Sequence, residues 1–198
     1  IARFGRAAGV VKQAGFHGVQ IHGAHGYLVS QFLSPKHNVR TDAWGGTAEN
    51  RRRFVLAVYQ AMRDAVGPDF PIGIKLNSAD FQRGGFTEEE SLATIQTLAA
   101  AGIDLIEISG GTYEAPAMAG KKTSTIEREA YFLEFAEKVR QHISTPLMVT
   151  GGFRSLDAMG AALSSGAMDL VGLGRPLCIE PDASKRLLAG EETRHRVK

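Results

Sequence analysis

The chain has 198 residues, 43% of them hydrophobic and 22% charged, with a formal net charge of +2. That balance suits one globular domain with an apolar core, and its scattered lysines and arginines point to neither nucleic acid nor a membrane as partner. The one cysteine, Cys178, excludes an internal disulfide framework and a cysteine-rich metal cluster, and a cytoplasmic location is the natural expectation.

No apolar run approaches the roughly 20 residues that span a bilayer. The opening Ile1-Ala2-Arg3-Phe4-Gly5-Arg6 lacks an initiating methionine and the apolar region of a signal peptide, so the chain is expected to start inside a longer gene product. From about Ala2 to Ala14, Phe4, Ala7, Ala8 and Val11 recur at helical spacing before Gly15. The apolar strand Gly18-Val19-Gln20-Ile21 then runs into His22-Gly23-Ala24-His25-Gly26-Tyr27-Leu28, so two imidazoles and a phenol leave one strand end together. Leu28, Phe32 and Leu33 give a short helical stripe that Ser34-Pro35 breaks. A polar loop from Asn38 to Gly46 follows, in which Arg40 and Asp42 read as a loop-holding ion pair. Thr47 is the expected N-cap of a long helix buried through Phe54, Val55, Val58, Ala61, Met62 and Val66.

Beyond Gly67-Pro68-Asp69, helices and strands keep alternating. Pro71 to Asn77 is a buried strand with one charge, Lys75, near its carboxyl end, and Asn77 to Phe86 is a loop. Thr87-Glu88-Glu89-Glu90 starts the next helix with a capping box, and Leu92, Ile95, Leu98 and Ala99 form its buried face. After Gly102 come the strand Asp104–Ser109, the bend Gly110-Gly111-Thr112-Tyr113 and a polar segment from Glu114 to Thr125 that reads as a long loop. A helix from Glu129 to His142, the strand Pro146–Thr150, the bend Gly151-Gly152, a helix from Leu156 to Ser164, the strand Asp169–Leu173 and the turn Gly174-Arg175-Pro176 complete the series, and the charged tail from Glu191 to Lys198 is expected to fray. Such a βα repeat predicts an α/β fold with a parallel sheet, whose ligands bind at the carboxyl ends of the strands.

Two neutral imidazoles can each donate an N–H to one oxygen, and a nearby tyrosine can give up a proton. His22, His25 and Tyr27 therefore suit a site where a carbonyl oxygen gains negative charge while a neighbouring carbon is protonated. Taken alone, the histidines could instead be metal ligands or hydrogen-bonded structural residues, and Lys75 could be an ion-paired lysine rather than a cation held at the sheet mouth. Glycines at two successive strand ends, Gly151-Gly152 and Gly174-Arg175, suggest a phosphate held by backbone amides, a helix amino terminus and the arginine.

These residues resemble the Old Yellow Enzyme family of NAD(P)H-dependent flavin oxidoreductases, the ene-reductases. The resemblance runs from about Ala2 to Gly190 and rests on His22 to Leu28, Gln31-Phe32-Leu33-Ser34-Pro35, Arg40-Thr41-Asp42, Trp44-Gly45-Gly46, Glu49-Asn50-Arg51 and the two glycine bends. It implies a TIM (β/α)8 barrel holding FMN, of which residues 1–198 look like a partial domain with strands four to eight. It further implies that His22 and His25 bind a carbonyl, nitro or phenolate oxygen above the flavin, and that Tyr27 protonates the α-carbon of an activated alkene. Flavin N5 would supply hydride after reduction by NAD(P)H. Lys75 stands where many members have an arginine facing the pyrimidine edge, and Gly151, Gly152, Gly174 and Arg175 stand where the family holds the FMN phosphate.

The departures are strands one to three, which the resemblance leaves unmatched, and the cysteine pattern of the larger iron–sulfur relatives. Two raw sheet edges would need covering, a homo-oligomer being one way to do it. The alternatives are a weakly active or non-catalytic piece of such an enzyme, and a phosphate-binding barrel lyase or isomerase using Lys75 as a Schiff-base nucleophile. A small enone-type molecule is the expected substrate.

Overall fold

A computed structural model describes residues 1–112, 114 and 129–192. The described elements run α1 (Ala2–Gln13), β1 (Val19–Gly23), α2 (Leu28–Leu33), α3 (Ala48–Val66), β2 (Ile72–Asn77), α4 (Glu88–Ala100), β3 (Leu105–Ser109), α5 (Leu133–Arg140), β4 (Leu147–Thr150), α6 (Leu156–Ser164), β5 (Leu170–Gly172), α7 (Arg175–Ile179) and α8 (Ala183–Leu188). All strand pairs are parallel, and the strands lie side by side in chain order. A right-handed crossover repeated without reversing direction places successive helices on one face of the sheet, as in a barrel wall and unlike a doubly wound sheet. The expected barrel type is thus present as five strands.

Side chains alternate across a strand, so the register sorts the sheet into two faces. One row aligns Ile21, Ile74, Ile106 and Leu147, all at most 2% exposed, within the main apolar cluster. Helix α3 adds Phe54, Val55, Val58, Met62 and Val66 to that cluster, as expected from its 3.6-residue period, together with Tyr59, while Ala61, also expected there, is only half-buried. The adjacent row, on the opposite face, aligns His22, Lys75, Glu107, Met148 and Leu170. Helix packing consumes the first face, and the second carries the polar row of His22, Lys75 and Glu107.

Local signals act as their chemistry dictates. Thr87 accepts from the Glu90 amide while the Glu90 carboxylate accepts from the Thr87 amide, and Thr47 accepts from the Asn50 amide. Beyond shifts of a single residue at strand ends, four assignments differ from the sequence expectation. Strand β1 continues through His22 and Gly23, because they pair with Lys75 and Leu76, and a Cβ on Gly23 would come within 3.0 Å of the Lys75 carbonyl. Helix α5 starts at Leu133 rather than Glu129, since Ala130 takes a left-handed φ of 53° that no helix tolerates. The Gly174 turn opens a short helix, α7, with Pro176 in its first turn, where a missing N–H costs nothing. Helix α8 carries too little periodic apolar sequence to announce itself. Apart from Glu114, the segment Glu114 to Thr125 lies outside the described residues, as does the tail from residue 193. Among the described residues, no helix is long and apolar enough to cross a membrane.

Candidate functional site

The carboxyl end of β1 brings the expected trio together. The His22 ring centroid is 5.5 Å from that of His25 and 5.0 Å from that of Tyr27. His22 owes its place to the strand ladder, whereas His25 owes its place to a strained turn. Its φ of 62° is unusual for a residue with a Cβ and is paid back by three attachments: its amide donates to Asn77 Oδ1 at 3.2 Å, its Nε2 meets Ser109 Oγ at 2.8 Å, and its backbone bridges Thr112. Asn77 is itself held by its bond to Asp80 at 3.0 Å, and Asn77, Asp80 and Ser109 are each at most 1% exposed. Behind the imidazole, then, lies a rigid polar floor. Gly26, at φ 81°, lets the chain turn into α2, and Gln31 ties the bend by donating to the Gly26 carbonyl at 2.8 Å.

Electrostatics keep both imidazoles neutral near pH 7. Burial first, then the Lys75 ammonium and His22, lower the pKa of His25 to about 4, against the opposing pull of Glu107. Partial desolvation, on a residue that stays exposed, and Lys75 also lower that of His22. Below the ordinary imidazole pKa of about 6.5 the unfolded chain takes up a proton that folded His25 refuses until about pH 4. Stability is therefore expected to decline as pH falls through that interval. An NMR titration is expected to show His25 half-protonated near pH 4 and His22 below the ordinary value; ordinary or raised values for both would contradict this electrostatic account.

Lys75, at the level of His22 on the neighbouring strand, forms an ion pair of 2.8 Å with Glu107. That engagement disfavours the lyase alternative, which needs an unencumbered amine. The metal alternative has no support either: among the described residues no group of three or more His, Cys, Asp or Glu could hold an ion.

At the rim of β4 and β5 the glycines do two kinds of work. Gly151 and Gly152 have φ values of 152° and 82°, and a Cβ on either would run into the Phe132 or Tyr131 ring at 2.8 and 2.5 Å. Around Gly174, by contrast, nothing lies within 4 Å of where a Cβ would stand. The amides of Arg154 and Ser155, at the start of α6, are taken by Glu129 Oε2 at 2.8 and 3.0 Å. The helix amino terminus expected to receive a phosphate thus receives a carboxylate of the chain itself. Arg175 opens α7, on the same rim.

Sequence reasoning missed Asn77, Asp80, Ser109, Glu107 and Glu129. Only Glu107 carried a usable signal: a lone acid within the apolar run Leu105-Ile106-Glu107-Ile108, at the same level as the lone base of the preceding strand.

The family model for NADH:flavin oxidoreductase / NADH oxidase matches residues 1–194. The chain is 43% identical over 202 aligned residues to the NADH-dependent flavin oxidoreductase iccE of Talaromyces variabilis, covering 97% of this chain and 48% of that protein. It is 34% identical to the NADH oxidase of Thermoanaerobacter brockii, covering 99% of this chain and 30% of that protein. Among solved structures, a 2-naphthoyl-CoA reductase complex superposes with a TM-score of 0.87 at 33% identity, over 95% of this chain and 28% of that one. Morphinone reductase in complex with tetrahydroNAD gives 0.75 at 28% identity, over 97% and 48%. The chain spans about half or less of the length of these proteins.

Proposed function

We propose, from the premise that the chain belongs to the NADH:flavin oxidoreductase / NADH oxidase family, that it is the part of an FMN-dependent, NAD(P)H-driven reductase that binds and protonates activated alkenes. The substrates would be α,β-unsaturated carbonyl or nitro compounds. The observation that carries this reading is the convergence of His22, His25 and Tyr27 beside a strand-aligned Lys75.

A substrate oxygen accepting N–H bonds from the imidazoles is polarised by neutral donors, which stabilise the charge that grows on it without first surrendering a proton. Tyr27, beside His22, would pass its phenolic proton to the α-carbon. Bound FMN, reduced by NAD(P)H, would supply the hydride for the β-carbon. The residues present fit that cofactor in chemical type. Lys75 offers a cation for the electron-rich edge of a flat heterocycle, and the bend at Gly174 and Arg175 leaves open space for a phosphate among backbone amides and a guanidinium. Gly151 and Gly152 would border that phosphate, with Tyr131 and Phe132 as their floor.

The test is stopped-flow kinetics on the FMN-loaded protein. NADH is expected to reduce the cofactor and 2-cyclohexenone to reoxidise it. Tyr27→Phe is expected to slow the second half-reaction about 10²- to 10⁴-fold while leaving the first unchanged. An enone half-reaction at the wild-type rate in Tyr27→Phe, or wild-type protein that takes up no FMN, would overturn the reading. Weak FMN uptake would favour the alternative that the chain is a poorly active piece, a reading supported by the edge strands β1 and β5, each paired on one side only among the described residues.

A further inference from the structure

We propose that Glu107 is a positioning residue that converts Lys75 from a flexible cation into a fixed one at the sheet mouth. The proposal deepens the reading above and rests on it for the identity of the ligand. Glu107 is 6% exposed, and its carboxylate is held by three neighbouring side chains from three strands. Lys75 Nζ on β2 lies 2.8 Å from Oε1, the Thr150 hydroxyl on β4 donates to Oε1 at 2.6 Å, and the Gln20 amide on β1 donates to Oε2 at 2.9 Å. Neither oxygen can turn away without breaking a bond. The clamp extends one strand further, since a Cβ at residue 172 of β5 would fall 1.7 Å from Thr150 Oγ1, so glycine there leaves the hydroxyl its place.

A lysine needs such bracing more than an arginine does. Its ammonium sits on a four-carbon stem and lacks the rigid planar fork that orients a guanidinium. The ammonium carries three N–H donors, and directing one to a fixed carboxylate sets the position from which the others can meet a ligand. Burial alone would push the Glu107 carboxyl up, but the bonds from Lys75 and Thr150 hold it below the usual range, so it remains the anion this role requires. The same pair acts on the imidazoles, which Lys75 drives toward the neutral form and Glu107 pulls back.

Two measurements test this. The first uses the FMN-free protein: in Glu107→Gln the unbalanced Lys75 charge is expected to lower the NMR-detected pKa values of His22 and His25, and in Glu107→Asp, which keeps the charge, to leave them near wild type. The second is FMN affinity by fluorescence quenching. Glu107→Gln is expected to weaken it about tenfold, the worth of one charge-assisted contact, with little further loss on adding Glu107→Gln to Lys75→Met. Glu107→Asp, which withdraws the carboxylate by one methylene, covers the case in which the glutamine variant does not fold, and is expected to weaken FMN binding by a smaller factor. Additive losses in the double variant, or unchanged imidazole titration together with unchanged affinity, would overturn the proposal. If the wild-type protein binds no FMN, the functional reading fails while the imidazole titration still decides the role of Glu107.

Discussion

Replacing His22 by alanine in the FMN-loaded protein is expected to weaken binding of a phenolate ligand about 10- to 100-fold, the loss of one hydrogen bond to a charged acceptor worth about 1.5–3 kcal/mol. His22 is the hub of the trio, with both other rings centred within 5.5 Å of its own. Its backbone is fixed by the β1 to β2 ladder, so truncation removes a donor without moving the strand. The ring is exposed, and its loss opens no core cavity. Calorimetric titration with a para-substituted phenol measures the effect, and an unchanged unfolding midpoint shows that the site alone has been altered. An affinity within about twofold of wild type would remove His22 from the ligand contacts, since that is less than half the worth of a neutral hydrogen bond.

Arg51→Ala is expected to cost about 3–5 kcal/mol, because it strips a buried cation from its partners and leaves them unpaired. For a domain of this size that is a fall in midpoint of about 6–20 °C. The Arg51 side chain is 7% exposed. Its Nε donates to the Leu33 carbonyl at 2.9 Å, one terminal nitrogen donates to the Gly46 carbonyl at 2.5 Å, and the other pairs with Glu90. One guanidinium thereby joins the end of α2, the glycine bend before α3 and the first turn of α4. Lysine is not expected to rescue it, since a single ammonium cannot reach three acceptors with a planar fork. Thermal unfolding followed by circular dichroism reads the result, and a loss below about 1 kcal/mol, the scale of a surface ion pair, would contradict the account.

Arg51 also shows what the resembling motifs are for. Arg40 and Asp42 form the expected ion pair, with Arg40 Nε donating to Asp42 Oδ1 at 3.0 Å, on side chains about half exposed. Asn38 ties the Phe32 and Trp44 carbonyls at 2.8 and 2.7 Å, and Phe32 stacks on Phe54 at 4.0 Å. A Cβ on Gly45 would meet the Arg40 carbonyl at 2.5 Å. Most of the sequence that identifies the family between residues 31 and 51 therefore holds the connection between β1 and α3 in place. Of the motifs before residue 52, the proposed chemistry draws only on the short stretch from His22 to Tyr27.

The order of helices and strands, the capping of α3 and α4 and the companionship of His22, His25 and Tyr27 were readable directly from residues. Each depends on neighbours within a turn or a strand, where periodicity and side-chain hydrogen bonding act over a few positions. The left-handed backbone of His25, its support by Asn77 and Ser109, the capture of the α6 amides by Glu129 and the clamp of Glu107 on Lys75 were decided only by the folded chain. Those contacts join residues 25 to 84 positions apart. The contacts of His25 and Lys75 follow from the register of parallel strands, and that of Glu129 from two loops meeting at the same rim; no local pattern encodes either, because each crossover sets its strand beside a partner whose level is chosen by the packing of the whole apolar face.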